Sequence, residues 1–303
     1  MKRRSVAAIT GLLAAFLLAL PACTQGFEVV ATTTIVGDVV RQVAGPLVSV
    51  HVLFPVDADP HAFQPTPMDV VAISNADAVF VHGAGLETGM EELLSSAAGP
   101  VVTLTDGLAL RLLEQDHDEN DEHIRSDADP HVWFDPTYVM VWTRRIEETL
   151  GQLRPDHANA FERNAAAYRG RLAELDLWIW DEVAQIPRER RCLATDHWVL
   201  GYFAARYGFD QVGAVFPAFS TLADPSAREL ANLEEAIRNL DIPAIFVGTT
   251  VNPVLAESIA ADTGIAVVKL HTGSLSRAGG PAETYLELMR HDVTAIVNAL
   301  ETP

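Results

Sequence analysis

Ten histidines are spread over this 303-residue sequence, and three of them sit in settings that suit coordination chemistry. His61 lies in Asp59-Pro60-His61, inside a proline-stiffened turn that runs on to Pro65 and Pro67. His131 lies in a second turn of the same kind, Asp129-Pro130-His131, with Pro136 soon after. His197 lies in Asp196-His197-Trp198, where a strand-like run gives way to a helical one. A neutral imidazole held on a stiff loop loses little ordering entropy when it binds a metal. Each position follows an apolar element or opens a helix, near the rim at which open α/β sheets take ligands. A single histidine at a helix start is more often a cap or a surface residue. Two Asp-Pro-His turns and a third rim histidine shift that balance toward a metal. On spacing alone His51, His82, His117, His123, His157, His271 and His291 stay in competition.

The elements that must position these side chains can be read from period and punctuation. Strand-like runs at 27–33, 48–54, 76–81 and 101–104 alternate with amphipathic stretches at 35–44, 66–74 and 87–97, which predicts parallel βαβ units. Thr66-Pro67 reads as an N-cap with proline at the first helical position. A helix is predicted over 137–150, and a longer one over 156–183 with apolar residues Phe161, Ala165, Tyr168, Leu172, Leu175 and Ile179 at three- and four-residue steps. At 1.5 Å per residue it would span roughly 42 Å, a length suited to a spine between two lobes. The alternation restarts after Pro187, with strands at 192–195, 211–215, 244–247 and 267–270, and helices at 198–207, 226–240, 253–262 and 282–299. The fold class is therefore α/β: two lobes, each with a mostly parallel sheet flanked by helices, joined by one long rigid helix. The division is 23–154, 155–186 and 187–303, with an acidic loop at 114–129 that has no apolar residues to bury between Glu114 and His123.

The first residues predict export. Lys2, Arg3 and Arg4 precede an apolar run too short to span a bilayer, which leads into Pro21-Ala22-Cys23. Small residues before a cysteine resemble a lipobox, so 1–22 reads as a lipoprotein signal peptide and Cys23 as the acylated residue. Cys192 then has no partner within the chain and reads as a buried, inert thiol. With no cysteine pair at ligand spacing, any metal site must use histidine and carboxylates. Loss of the leader removes three cations and no acid, taking the formal charge from −20 to −23. That excess excludes nucleic acid as a partner and mildly concentrates cations.

The motifs together resemble the zinc- and manganese-type solute-binding proteins of ATP-binding cassette importers, the cluster A-I family. They are the run from Asp59 to Pro67, Asn75-Ala76-Asp77, Gly83-Ala84-Gly85-Leu86-Glu87, Asp129-Pro130-His131-Val132-Trp133, Gly201-Tyr202-Phe203-Ala204 with Tyr207-Gly208, Pro225-Ser226-Ala227, and the tail from Leu270 to Tyr285. The resemblance covers the whole mature chain. It implies an extracytoplasmic, lipid-anchored monomer that captures a metal between two lobes and delivers it to a permease and ATPase, with a metallochaperone as a further partner. It implies His61 and His131 as first-lobe ligands and His197 as the first ligand of the second lobe. Histidine rather than glutamate at that third position points to Zn(II) over Mn(II), since imidazole suits zinc and manganese prefers oxygen. The family's usual aspartate is replaced by Gly273 in His271-Thr272-Gly273-Ser274-Leu275. That leaves water, Asp224 or His271 as the fourth ligand. His117 and His123 in the acidic loop resemble a shortened form of a metal-collecting loop.

Two other readings compete. One is a manganese-specific member of the same family. The other is a zinc-dependent hydrolase with an open fourth position, although no HExxH helix, nucleophile elbow or carboxylate base accompanies the histidines. In either zinc reading, protonation of the histidines near about pH 5–6 should weaken binding.

Overall fold

The computed structural model describes residues 26–112 and 128–301. The leader, Cys23, His117 and His123 lie outside the described residues. Among those described, no helix is long and apolar enough to cross a membrane.

Two four-stranded sheets organise the chain. The first holds β1 (Glu28–Ala31), β2 (Ser49–Val52), β3 (Ala78–Val81) and β4 (Val101–Thr103) in the order β2-β1-β3-β4, all parallel. The second holds β5 (Cys192–His197), β6 (Asp210–Phe216), β7 (Ala244–Gly248) and β8 (Ala266–Leu270) in the order β6-β5-β7-β8, again parallel. The inner strand β3 is buried throughout, so Ala-Val-Phe-Val reads as an unbroken apolar run, whereas edge strand β2 alternates Ser-Val-His-Val. The identical strand orders place a switch point between the two inner strands of each sheet, and ligand-bearing loops gather at such points.

Helices α1 (Thr34–Ala44), α2 (Pro67–Asn75) and α3 (Glu91–Leu94) belong to the first sheet's crossovers. Next come α4 (Pro136–Leu153) and the 26-residue α5 (Ala158–Val183). Around the second sheet lie α6 (Gly201–Tyr207), α7 (Ala227–Asn239), α8 (Val254–Thr263) and α9 (Tyr285–Glu301). The caps read from sequence form as drawn: Thr66 and Asp69 close a capping box with Pro67 at the first position of α2. Two expectations change. The helix expected over 87–97 contracts to the four residues of α3, because Glu87 is buried and accepts from Thr32, His82 and Gly83, which holds 83–90 as turns. The helix expected from 198 starts at Gly201, since β5 runs on to His197. Cys192 is half-buried, and that burial raises its thiol's pKa.

The apolar stripe of α5, continued by Val183, is buried along its whole length. It lies in one hydrophobic core that includes Val29 and Phe80 of the first sheet, Phe246 and Leu270 of the second, and Tyr285 to Leu300 of α9. Smaller cores cover the outer face of each sheet. Polar bonds tie the same elements. Asp38 of α1 accepts the backbone N–H of Tyr285 at the start of α9, 2.9 Å away, and Arg206 of α6 forks onto Asp176 of α5. The lobes are therefore welded along α5 and α9. Leu172→Ala, which hollows this shared core, is expected to lower stability by roughly 2–5 kcal/mol. It should also leave a single urea transition in which far-UV circular dichroism and tryptophan fluorescence coincide; two separated transitions would show that the lobes unfold independently.

Candidate metal centre

Three loops meet where the two sheets face each other. The segment between β2 and α2 brings His61, the turn before α4 brings His131, and the carboxyl end of β5 brings His197. Their ring nitrogens all lie within 4.8 Å of one another, the one such group of three or more metal-binding side chains among the described residues. His131 Nε2 is 3.2 Å from His61 Nε2 and 3.2 Å from His197 Nε2. A tetrahedral zinc with Zn–N bonds of 2.0–2.1 Å requires nitrogens about 3.3 Å apart. His131 and His197 are buried and His61 is half-buried.

The carboxylates beside the histidines decide what those nitrogens offer. Asp196 Oδ1 accepts the Nδ1–H of His197 at 2.7 Å and its backbone N–H at 2.7 Å, while Oδ2 accepts the N–H of Gly248 at 2.6 Å. A Cβ at residue 248 would crowd Asp196 and Thr272, so this approach needs glycine. Asp129 Oδ1 accepts from both the backbone N–H and Nδ1 of His131, at 3.0 and 2.8 Å. These bonds put the ring protons on Nδ1 and leave the Nε2 lone pairs pointing into the space between the rings. Burial, reinforced by the neighbouring His197, lowers the pKa of His61 to about 3. Burial together with His197 and His61 pushes His131 well below the usual imidazole range. Burial raises the Asp129 carboxyl to about 7. The void at the three nitrogens is about 10 Å³, room for a single ion or water, and its walls include Thr221, Thr250, Thr272 and Gly273.

The other sequence candidates fall elsewhere. Asp224 is exposed on the β6–α7 loop and His271 faces His291 at a ring separation of 5.2 Å, so neither joins the cluster. Gly273 packs against Pro60, where a Cβ would come within 2.8 Å of the proline Cδ. Trp133 lies edge-on beneath His131 and donates to the Thr272 carbonyl at 3.1 Å, and Phe63 stacks on Phe54, so both support the walls without lining the void. His82, a competing ligand candidate on spacing alone, is instead fully buried and bonds the Pro130 carbonyl at 2.6 Å, bracing the second Asp-Pro-His turn, a role its sequence context does not signal. Sequence reading also passed over the supporting roles of Asp129 and Asp196, whose signal was their place directly beside the histidines.

Comparison with known proteins agrees with this architecture. The family described as zinc-uptake complex component A, periplasmic (ZnuA) matches residues 29–299. The manganese-binding lipoprotein MntA of Halalkalibacterium halodurans is 33% identical over 279 residues, covering 91% of this chain and 89% of that protein. Among solved structures, the periplasmic zinc-binding protein TroA from Treponema pallidum superposes with a TM-score of 0.83 at 28% identity, covering 91% of this chain and 99% of the other. The manganese-bound periplasmic metal-binding protein from Candidatus Liberibacter asiaticus gives 0.79 at 28% identity, covering 90% and 99%. The hydrolase reading is thereby set aside, because this is a family of transport proteins. The chain belongs to the ZnuA family, whose members are metal-binding, substrate-binding components of ATP-binding cassette transporters.

Proposed function

We propose that this protein captures Zn(II) on His61, His131 and His197 and delivers it to the permease of its importer. The observation that carries the reading is the pair of Nε2–Nε2 separations of 3.2 Å. Lone pairs aimed at each other over that distance repel, and a cation between them turns the repulsion into three bonds. An all-nitrogen set of borderline donors suits zinc, and no carboxylate oxygen joins it among the described residues. The fourth position would then fall to water, with Gly273 contributing no side chain. The name of the relative MntA favours the second reading, manganese. Affinity ranking alone does not separate the two, because zinc outbinds manganese at almost any site of nitrogen and oxygen donors. Whether manganese is retained at all is the discriminating property.

Titration of the metal-free protein is expected to give one zinc per chain, with no manganese retained through gel filtration. His197→Ala should abolish tight binding, and Asp196→Asn should weaken it about 10–100-fold by freeing the ring it orients. Stoichiometric retention of manganese would favour the second reading, and an unaffected His197→Ala would remove that residue from the ligand set.

The lowered histidine pKa values revise the expected pH dependence. Two ordinary imidazoles would lose on the order of 10²–10³ in metal affinity between pH 7 and 5. His61 and His131 stay neutral over that range, and Asp129, whose raised pKa of about 7 lets it hold one proton there, becomes the proton competitor on the first-lobe side. Zinc affinity is expected to fall no more than about tenfold per pH unit; a competition titration showing a steeper slope would mean that the imidazoles take up protons as well.

The relative's designation as a lipoprotein and the Pro21-Ala22-Cys23 sequence support lipid anchoring at Cys23 outside the cytoplasm. Cys23→Ser should move the expressed protein from the membrane fraction to the soluble one; unchanged fractionation would leave Cys23 without that role.

A further inference from the structure

The three histidines are not held alike. In His131 and His197 the backbone N–H and the ring Nδ1 are both tied to one buried carboxylate. The second Asp-Pro-His turn thus grips its imidazole directly. The first does not: Asp59 Oδ1 accepts only the backbone N–H of His61, at 3.0 Å, and the ring's Nδ1 has no protein partner among the described residues. The other oxygen of Asp59 reaches across the cleft instead, accepting from Thr221 Oγ1 at 2.6 Å. Asp59 belongs to the β2–α2 segment of the first lobe and Thr221 to the β6–α7 loop of the second. The loop is held at its base, where Ala218 O accepts the Trp198 N–H at 3.0 Å; from Phe219 to Pro225 it has no regular structure, and over that stretch the Thr221 bond is the one hydrogen bond to another element among the described residues.

We infer, building on the coordination proposed above, that Thr221 is a positioning residue for His61. Its bond to Asp59 latches the two lobes over the metal, and its breakage sets the rate of release. The weld along α5 and α9 resists wholesale opening of the cleft, whereas a loop tip held beyond Ala218 by one bond can lift. Lifting frees Asp59, whose remaining bond holds only the backbone of His61, and the half-buried imidazole can then swing away. His131 and His197, each gripped at two points, stay in place. A second strap lies nearby, where Asp57 N–H donates to Ser274 Oγ at 3.2 Å and Arg277 pairs with Asp57 at 2.7 Å. Arg277 is 79% exposed, so that ion pair is weak.

The test is zinc release from the loaded protein into excess chelator, followed by stopped flow. Thr221→Val keeps the shape and removes the donor. It is expected to accelerate release about tenfold, the order set by one hydrogen bond to a charged acceptor, with the melting temperature of the metal-free protein lowered by no more than about 4 °C. Thr221→Ser, which keeps the hydroxyl, should release within about twofold of the parent, and so should Arg277→Gln. Release from Thr221→Val at the parent rate would overturn the inference. So would equal acceleration by Arg277→Gln, which would assign the effect to general loosening between the lobes. A parent chain that takes up no zinc would instead overturn the coordination reading itself.

Discussion

A carboxylate oxygen accepting the Nδ1–H of a buried imidazole is the interaction on which the site depends. It occurs at Asp129–His131 and again at Asp196–His197, and each time it sets both the ring's orientation and its tautomer. Without it the rings could rotate or carry their protons on Nε2, and the inward-facing set of lone pairs would be lost. The fold supplies what these carboxylates need. β5 delivers Asp196 and His197 as consecutive residues at its carboxyl end, and β7 ends beside them in a glycine small enough for Asp196 to reach its N–H. Asp129 is placed less regularly, by an Asp-Pro-His turn braced from behind by His82, and its remaining oxygen has no partner among the described residues.

The second constraint is the shared core. Because α5 and α9 pack with both sheets in one hydrophobic cluster, separating the lobes would expose apolar surface along the full length of α5. The contacts around the centre carry the same bias toward rigidity. Trp133, beside His131, donates to Thr272 of the second lobe, and Tyr285 of α9 donates back to the Trp133 carbonyl at 2.7 Å. Rigidity on this scale leaves loops whose own hydrogen bonds are few as the parts around the centre with most freedom to move.

Much of this was legible in the sequence. The spine was readable because its seven buried positions follow helical spacing without interruption, and α2 because Thr66, Pro67 and Asp69 mark its start chemically. Proline and aspartate flanking two of the ten histidines draw attention to them, and the family resemblance narrows the ligand candidates to three. The failures share a cause. Whether Glu87 continues a helix or becomes a buried acceptor depends on Thr32, far away in sequence. His271 stays open as a ligand on sequence alone, and whether it turns toward the cleft or toward His291 depends on where α9 packs. Nothing local distinguishes Asp59 from Asp129, since both begin Asp-Pro-His; only the loop across the cleft sends the second oxygen of Asp59 to Thr221. Local sequence specifies turns and caps, while the direction of a buried polar group is set by its partner.

Metal choice is where family membership says least and local chemistry most. Relatives and structural neighbours sharing this fold carry names for both zinc and manganese, so the scaffold does not select. Selection then has to reside in donors and space. Manganese gains most from hard oxygen donors and from more ligands than three imidazoles provide. Here Asp59, the carboxylate nearest the void, already gives both oxygens to protein donors, and Gly273 presses against Pro60, closing the place from which another side chain could enter. A larger coordination shell would require breaking the Asp59–Thr221 bond or displacing Pro60, and either change would loosen the turn that carries His61. A four-coordinate ion completed by one water requires neither. The same crowding that confines the void to about 10 Å³ thus favours the ion content with fewer ligands.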